Sequence, residues 1–188
     1  MVSSGIGPLQ QACSLVPFTG DLLPAVQPWF TNPEVRHWLG GPAWPERELR
    51  LIEQNPGGEF RGRQVLAAHS WVLLDGDGVP VAKIGGDIYD RWTRYSPELD
   101  DKAIVLSSID EITMGLTYVV DPRRRRQGFG STAVGALLDH PATTEVRLFV
   151  AGIDAANTAS RRFASSSGFV TDDPEPDFED TIYYFYRR

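Results

Sequence analysis

The 188-residue chain is 41% hydrophobic and 23% charged, a composition that fits one folded domain with a real core and excludes a disordered polymer. Its net charge of −7 excludes a broad basic face for nucleic acid, and no apolar run is long enough to span a bilayer. A single cysteine, Cys13, excludes an internal disulfide framework and agrees with a reducing cytoplasm, while His37, His69 and His140 lack zinc spacing, so no metal site is expected.

The first residues, MVSSGIGPLQQ, lack the basic start and apolar stretch of a secretory signal, and 1–12 reads as a flexible lead into the domain at 13–188. SLVPFT (14–19) suits a short strand, and Asp21 is placed to cap a helix over DLLPAVQPWF. Asn32-Pro33 opens a second short helix that Gly40 closes. Residues 44–55 carry Leu49 and Ile52 at helical spacing and stop at Pro56-Gly57-Gly58. Two β-rich runs, 64–74 and 79–89, flank Asp75-Gly76-Asp77-Gly78, a hairpin signal. Residues 90–102 read as irregular, polar and aromatic, 104–109 as a strand or loop, and 111–120 as one continuous strand. The remainder predicts a helix at 131–140, a buried strand at 145–152, a helix at 157–169 with Asn157 at its start and Gly168 at its end, and a terminal strand at 180–188. Hairpins come first and a β-α-β run later, without internal repeats, which is a mixed α/β arrangement.

The most informative stretch is VVDPRRRRQGFGSTAV, Val119 to Val134. Removing its four arginines from the net charge leaves −11 for the rest, so the basic run is a local device. A strand ends, Asp121-Pro122 turns the chain, and Gly128-Phe129-Gly130 leads into a helix. Glycines let backbone N–H groups converge, and a helix N-terminus adds partial positive charge, so the expected ligand is a phosphate. The lysine and Ser/Thr of a Walker loop are missing, and the strand lies too late in the chain for a dinucleotide fingerprint.

These residues resemble the GNAT superfamily of acyl-CoA N-acetyltransferases. Its pyrophosphate motif, Arg/Gln-x-x-Gly-x-Gly/Ala, is matched by Arg125 through Gly130, and its Asn-x-x-Ala/Ser signature before a helix ending Gly-Phe by Asn157, Ser160 and Gly168-Phe169. The start, LVPFTGDLLPAVQPWFTNPEVRHWLG, is similar to the branch holding ribosomal-protein N-terminal acetyltransferases and aminoglycoside N-acetyltransferases. The resemblance implies a single α/β domain of the α+β type. Its mixed, mostly antiparallel central sheet would splay between its fourth and fifth strands and be flanked by helices. It also implies acetyl-CoA as cosubstrate, a primary amine as acceptor, a cytoplasmic location, and a monomer or homodimer that engages neither nucleic acid nor membrane.

The same resemblance implies roles for individual residues. Tyr118, Val119 and Val120 would pair with the pantetheine arm, the N–H of Tyr118 or Val119 meeting the developing oxyanion. The amides of Arg125, Arg126, Gln127, Gly128, Phe129, Gly130 and Ser131 would hold the pyrophosphate. Arg123, Arg124 or Arg126 would reach the 3′-phosphate, and Asn157 and Ser160 would complete the cofactor contacts. The family's usual acid, a tyrosine seven residues after the helix-opening Asn, is replaced by Ala164, which leaves Ser160, or one of Tyr183, Tyr184 and Tyr186, to protonate the thiolate. No acid stands at Met114-Gly115, so Glu111 is the first candidate base and Asp87 the second. The crowd of acids from Asp87 to Glu111 suggests a small cationic acceptor of aminoglycoside type, with Asp87 and Asp110 as charge partners and Trp92 and Tyr95 as stacking platforms. A peptide or protein N-terminus is the alternative acceptor, and an acyl-CoA sensor without catalysis the alternative class.

Overall fold

The structure, a computed structural model, describes residues 13–54, 57–99 and 102–188; the expected N-terminal lead and the acids Asp100 and Asp101 lie outside them. In chain order the elements are β1 (Ser14–Pro17), α1 (Leu23–Val26), α2 (Pro33–Leu39), α3 (Trp44–Gln54), β2 (Glu59–Phe60), β3 (Arg63–Leu74), β4 (Pro80–Tyr89), β5 (Trp92–Leu99), β6 (Lys102–Ile109), β7 (Thr113–Gly115), β8 (Thr117–Val120), α4 (Phe129–Leu138), β9 (Leu148–Asp154), α5 (Thr158–Ser166) and β10 (Thr181–Arg187). The fold is mixed α/β: a mostly antiparallel open sheet, strand order β1-β3-β4-β7-β9-β10, with β2 added to β3 and β8 to β4, and helices flanking it. The described residues form two compact units. One holds those up to Leu49 with Ser70–Ile84 and Tyr118–Pro141; the other holds Arg50–His69, Gly85–Thr117 and Ala142–Arg188.

In the first unit, β1 runs antiparallel to the end of β3, from Ser14↔Leu74 to Pro17↔Trp71. The β3–β4 turn closes on Asp75, whose Oδ1 accepts the N–H groups of Asp77 and Val79, both at 3.0 Å. Phe18, Val26, Trp29, Phe30, Val35, Val72 and Val119 make the core beneath α1 and α2. Asp21 does not cap a helix. Pro24 and Pro28 each remove an N–H donor, so the segment becomes a 3-10 turn, the single turn α1 and a second 3-10 turn. Asn32 does cap α2, its Oδ1 accepting from the N–H groups of Glu34 at 3.1 Å and Val35 at 3.3 Å. Lys83 on β4 is buried and ion-paired with Glu48 of α3 at 2.6 Å. Desolvation pulls its ammonium below the ordinary lysine range, against the Glu48 charge.

In the second unit, the end of β4 pairs antiparallel with β7, β7 parallel with β9, and β9 antiparallel with β10. The stretch expected to be irregular is instead β5, paired with β6 in a hairpin. Register shifts at Arg94/Tyr95 and Ser96/Leu99, the second around Pro97, erase the alternation that marks a strand in sequence. Trp92 packs on Leu148 and Val150, with Tyr183 and Phe185 around them.

Residues 111–120 are not one strand. β7 ends at Gly115, Leu116 donates its N–H to the Val150 carbonyl at 2.7 Å, and β8 then pairs with β4. The cause lies opposite. Gly86 has φ +155, and a Cβ there would stand 1.6 Å from the Gly115 carbonyl oxygen. Only a residue without a side chain permits that approach. The strand expected at 145–152 starts and ends later, at Leu148 and Asp154.

Candidate active site

Asp121, at the end of β8, is buried and donates its N–H to the Val81 carbonyl at 2.9 Å. Its carboxylate caps the following turn, accepting the Arg123 N–H at 3.0 Å, and pairs with the Arg123 guanidinium, also at 3.0 Å. Burial alone would raise the Asp121 carboxyl; the Arg123 hydrogen bonds and the Arg123 and Arg124 charges outweigh it and hold the group below the usual carboxylate range. Arg124 pairs with Asp75 at 2.8 Å and lies over the Phe129 ring, and Arg125 pairs with Glu34 of α2. Three of the four arginines are thus staples from the loop to the turn, the β3–β4 hairpin and α2. Arg126 is exposed, takes φ +62, and has no carboxylate partner among the described residues.

The loop then enters α4 through Gly128, whose φ of +84 is left-handed and whose side gives no helix cap. Helical bonding starts with the Thr132 N–H to the Gly128 carbonyl at 3.0 Å. The N–H groups of Phe129, Gly130 and Ser131 therefore have no partner within the helix. A Cβ on Gly128 would meet nothing within 4 Å. A left-handed glycine leading into the first amides of a ten-residue helix, with no heavy atom within 4 Å of its Cβ position, suits a phosphate group. Just upstream, the Asp121 N–H faces β4, so by alternation Tyr118 and Val120 turn their backbone groups away from that strand. The Val119 side chain is in the core.

The remaining expected residues lie in the second unit. Asp87 sits on β4 and accepts the Tyr89 hydroxyl at 3.1 Å. The pairing Ile88↔Met114 brings Asp87 beside Gly115, where β7 gives way to Leu116. Glu111 precedes β7 at the other end, five residues from Leu116, or roughly 16 Å along an extended chain. There it pairs with Arg187 of β10, and its Oε2 is buried. Asp110 is exposed and carries Ser108 at 3.0 Å and Arg91 at 3.6 Å. Glu111 and Asp87 are therefore not brought together.

Trp92 and Tyr95 are only 6% and 7% exposed. The Arg63 guanidinium covers the Trp92 ring at 3.9 Å and Arg61 covers Tyr95 at 4.1 Å, while the Tyr95 hydroxyl donates to Glu179 at 2.6 Å. Each ring is thus covered on one face by an arginine. Asn157 caps α5, its Oδ1 accepting the Ser160 N–H at 3.1 Å. Among the tyrosines of β10, Tyr183 donates to Asp177 at 2.9 Å, Tyr184 accepts from Arg161 at 3.2 Å, and Tyr186 packs on Phe149 and Phe169. Burial first, then Asp177, pushes the Tyr183 phenol far above its ordinary range. Asp173, Glu175, Asp177, Arg94, Tyr95 and Tyr183 are among the residues lining a cavity of about 120 Å³. Its acids come from 171–180, a region to which the sequence reading assigned no role.

Residues 14–170 match the family described as acetyltransferase (GNAT) domain. The chain belongs to the GNAT acetyltransferase family. It is 33% identical over 136 residues to the uncharacterised N-acetyltransferase YfmK of Bacillus subtilis (strain 168), covering 70% of this chain and 85% of the relative. The fold matches the aminoglycoside acetyltransferase AAC(6′)-Ib in complex with coenzyme A at a TM-score of 0.67, with 14% identity over 94% of this chain and 95% of the other. It also matches an acetyltransferase from Thermus thermophilus at 0.63, with 17% identity over 96% and 99%. Among the described residues of this GNAT acetyltransferase, no helix is long and apolar enough to cross a membrane.

Proposed function

We propose that the protein transfers an acetyl group from acetyl-CoA to a primary amine by direct attack of the amine on the thioester. The observation that carries this reading is the left-handed Gly128 entry to α4, whose Cβ position is open and which is followed by N–H groups without a partner within the helix. The amides from Arg125 to Ser131 hold the diphosphate, Arg126 meets the 3′-phosphate, and the backbone edge at Tyr118 and Val120 takes the pantetheine arm as an added strand. Acetyl-CoA supplies an activated acyl group, so the chain's own part is to orient the reactants and move one proton.

That proton comes from the acceptor's ammonium, which is no nucleophile until it is lost. We assign its removal to Asp87, directly or through water, in preference to Glu111: Asp87 stands beside the end of β7, and Glu111 is ion-paired with Arg187. The C–N bond forms as the C–S bond breaks, and the departing thiolate takes a proton from Ser160 or from solvent. The acceptor is a small cationic amine. Three carboxylates against one arginine around the 120 Å³ cavity support that choice, as does the likeness of fold to an enzyme captured with kanamycin and coenzyme A.

Thiol release from acetyl-CoA, measured with kanamycin-type amines, polyamines and Ser- or Ala-initiated peptides, tests the reading. Turnover is expected with the cationic small amines. Turnover with the peptides alone would move the acceptor to a polypeptide N-terminus, and none with any amine would leave a sensor.

A further inference from the structure

Tyr89 belongs to no motif, yet it is the best-placed buried polar group near the proposed base. Its ring is 6% exposed, and its hydroxyl donates to Asp87 Oδ2 at 3.1 Å. The ring also lies against Gly115: its Cε2 is 3.5 Å from where a Gly115 Cβ would stand. At that distance an alanine at 115 would touch the ring in ordinary van der Waals contact, so Tyr89 packs directly on the end of β7. The ring's other neighbours hold it in place. Phe60 stacks on it with centroids 6.5 Å apart, and the Arg63 guanidinium lies 5.1 Å from its centroid. Arg63 is itself buried, donates Nε–H to Thr93 Oγ1 at 2.9 Å, and has no carboxylate partner among the described residues. A cation held this way gains from the faces of Tyr89 and Trp92 and fixes both rings.

We infer that Tyr89 is a positioning residue for the acetyl transfer: its hydroxyl orients the Asp87 carboxylate and lowers its basicity. The inference rests on Asp87 being the base. A carboxylate free to rotate would spend much of its time with neither oxygen aimed at the ammonium. Donation to Oδ2 fixes the plane of the carboxylate. Burial, then the Asp87 charge, pushes the phenol far above its ordinary range, so across neutral pH it stays protonated and donates to the carboxylate. Among the described residues the charged groups that act on the Tyr89 hydroxyl besides Asp87 are Arg63 and Arg61; the Tyr183 phenol on β10 lies within reach of the Arg63 charge, and His69 on β3 is the one histidine of this unit. β7 brings no ionisable side chain, and β9 brings one, Asp154 at its end.

The test is Tyr89→Phe, which keeps the ring against Gly115 and removes only the donor. The Asp87 carboxyl is followed by ¹³C NMR titration, and kcat is measured from pH 5 to 9 with saturating acetyl-CoA and amine. Both are run in a His69→Gln background, so that the one histidine of this unit cannot supply the transition. Losing a donor to the charged form should raise the Asp87 midpoint by about 0.5–1 unit, shift the acid limb of kcat upward by the same amount, and lower kcat about tenfold at neutral pH. Asp87→Asn should lower kcat by about 100-fold or more. If Asp87→Asn is inactive while Tyr89→Phe leaves the midpoint and the limb in place, Tyr89 is only a packing residue. If Asp87→Asn keeps full turnover, the base assignment is wrong and this inference goes with it.

Discussion

Replacing Gly128 separates the backbone role of this residue from its place in the anion seat. Its φ is +84, and a Cβ there meets no heavy atom within 4 Å. The folded chain therefore presents no clash, and the cost to stability is the left-handed backbone alone. For alanine that is about 1–2 kcal/mol, and for asparagine, which visits this region more readily, it is smaller. In a chain of this size each kcal/mol lowers the melting temperature by roughly 2–4 °C. Gly128→Ala should then melt about 2–8 °C lower, and Gly128→Asn closer to the parent. A valine would add a β-branched clash with its own backbone and confuse the two effects. In both chosen variants the new side chain stands where the diphosphate is proposed to lie, so CoA affinity should fall by about tenfold or more, that is at least ~1.4 kcal/mol. Calorimetric titration with CoA and thermal melts measure the two quantities separately. A Gly128→Asn protein that keeps its stability and binds CoA like the parent would refute the argument, because the space over Gly128 would then not be the seat.

Three further outcomes follow from the same geometry. Arg126→Ala should weaken CoA about 10–100-fold, the loss of a charge-assisted contact, and leave dephospho-CoA unaffected; Arg123→Ala, whose partner is Asp121, should not change the ratio of the two. Gly86→Ala, by forcing a Cβ to within 1.6 Å of the Gly115 carbonyl oxygen, should lower stability by about 3 kcal/mol or more, measured by urea unfolding. Glu111→Gln should leave kcat within about twofold while lowering stability by roughly 1 kcal/mol through the Arg187 pair; a large loss of kcat at unchanged stability would return Glu111 to the mechanism.

The loop from Asp121 to Ser131 was legible because its signal is local: turn residue, glycines and helix follow one another in the chain. The same holds for the Asn32 and Asn157 caps. What the sequence hid depends on partners far away in the chain. The end of β7 is set by Gly86, about thirty residues earlier, and no periodicity within 111–120 announces it. β5 was missed because two register shifts break its alternation. Glu111 is the first candidate base in sequence because it is a carboxylate near Met114-Gly115 in the chain; that β10 would bring Arg187 to it could not be read locally. Trp92 and Tyr95 looked like binding aromatics in a polar run, but Arg63 and Arg61, about thirty residues upstream, cover them. Likewise the acids of the cavity, Asp173, Glu175 and Asp177, stand in a stretch between the last helix and the last strand that matches no motif.

The central claim, that the amides at the start of α4 hold the diphosphate of the acyl carrier, is tested most directly by amide NMR during a titration with CoA. Shifts concentrated on Arg126 through Ser131, saturating with the same affinity as calorimetry gives, are the predicted result. Saturation by CoA with those resonances unmoved would contradict the account.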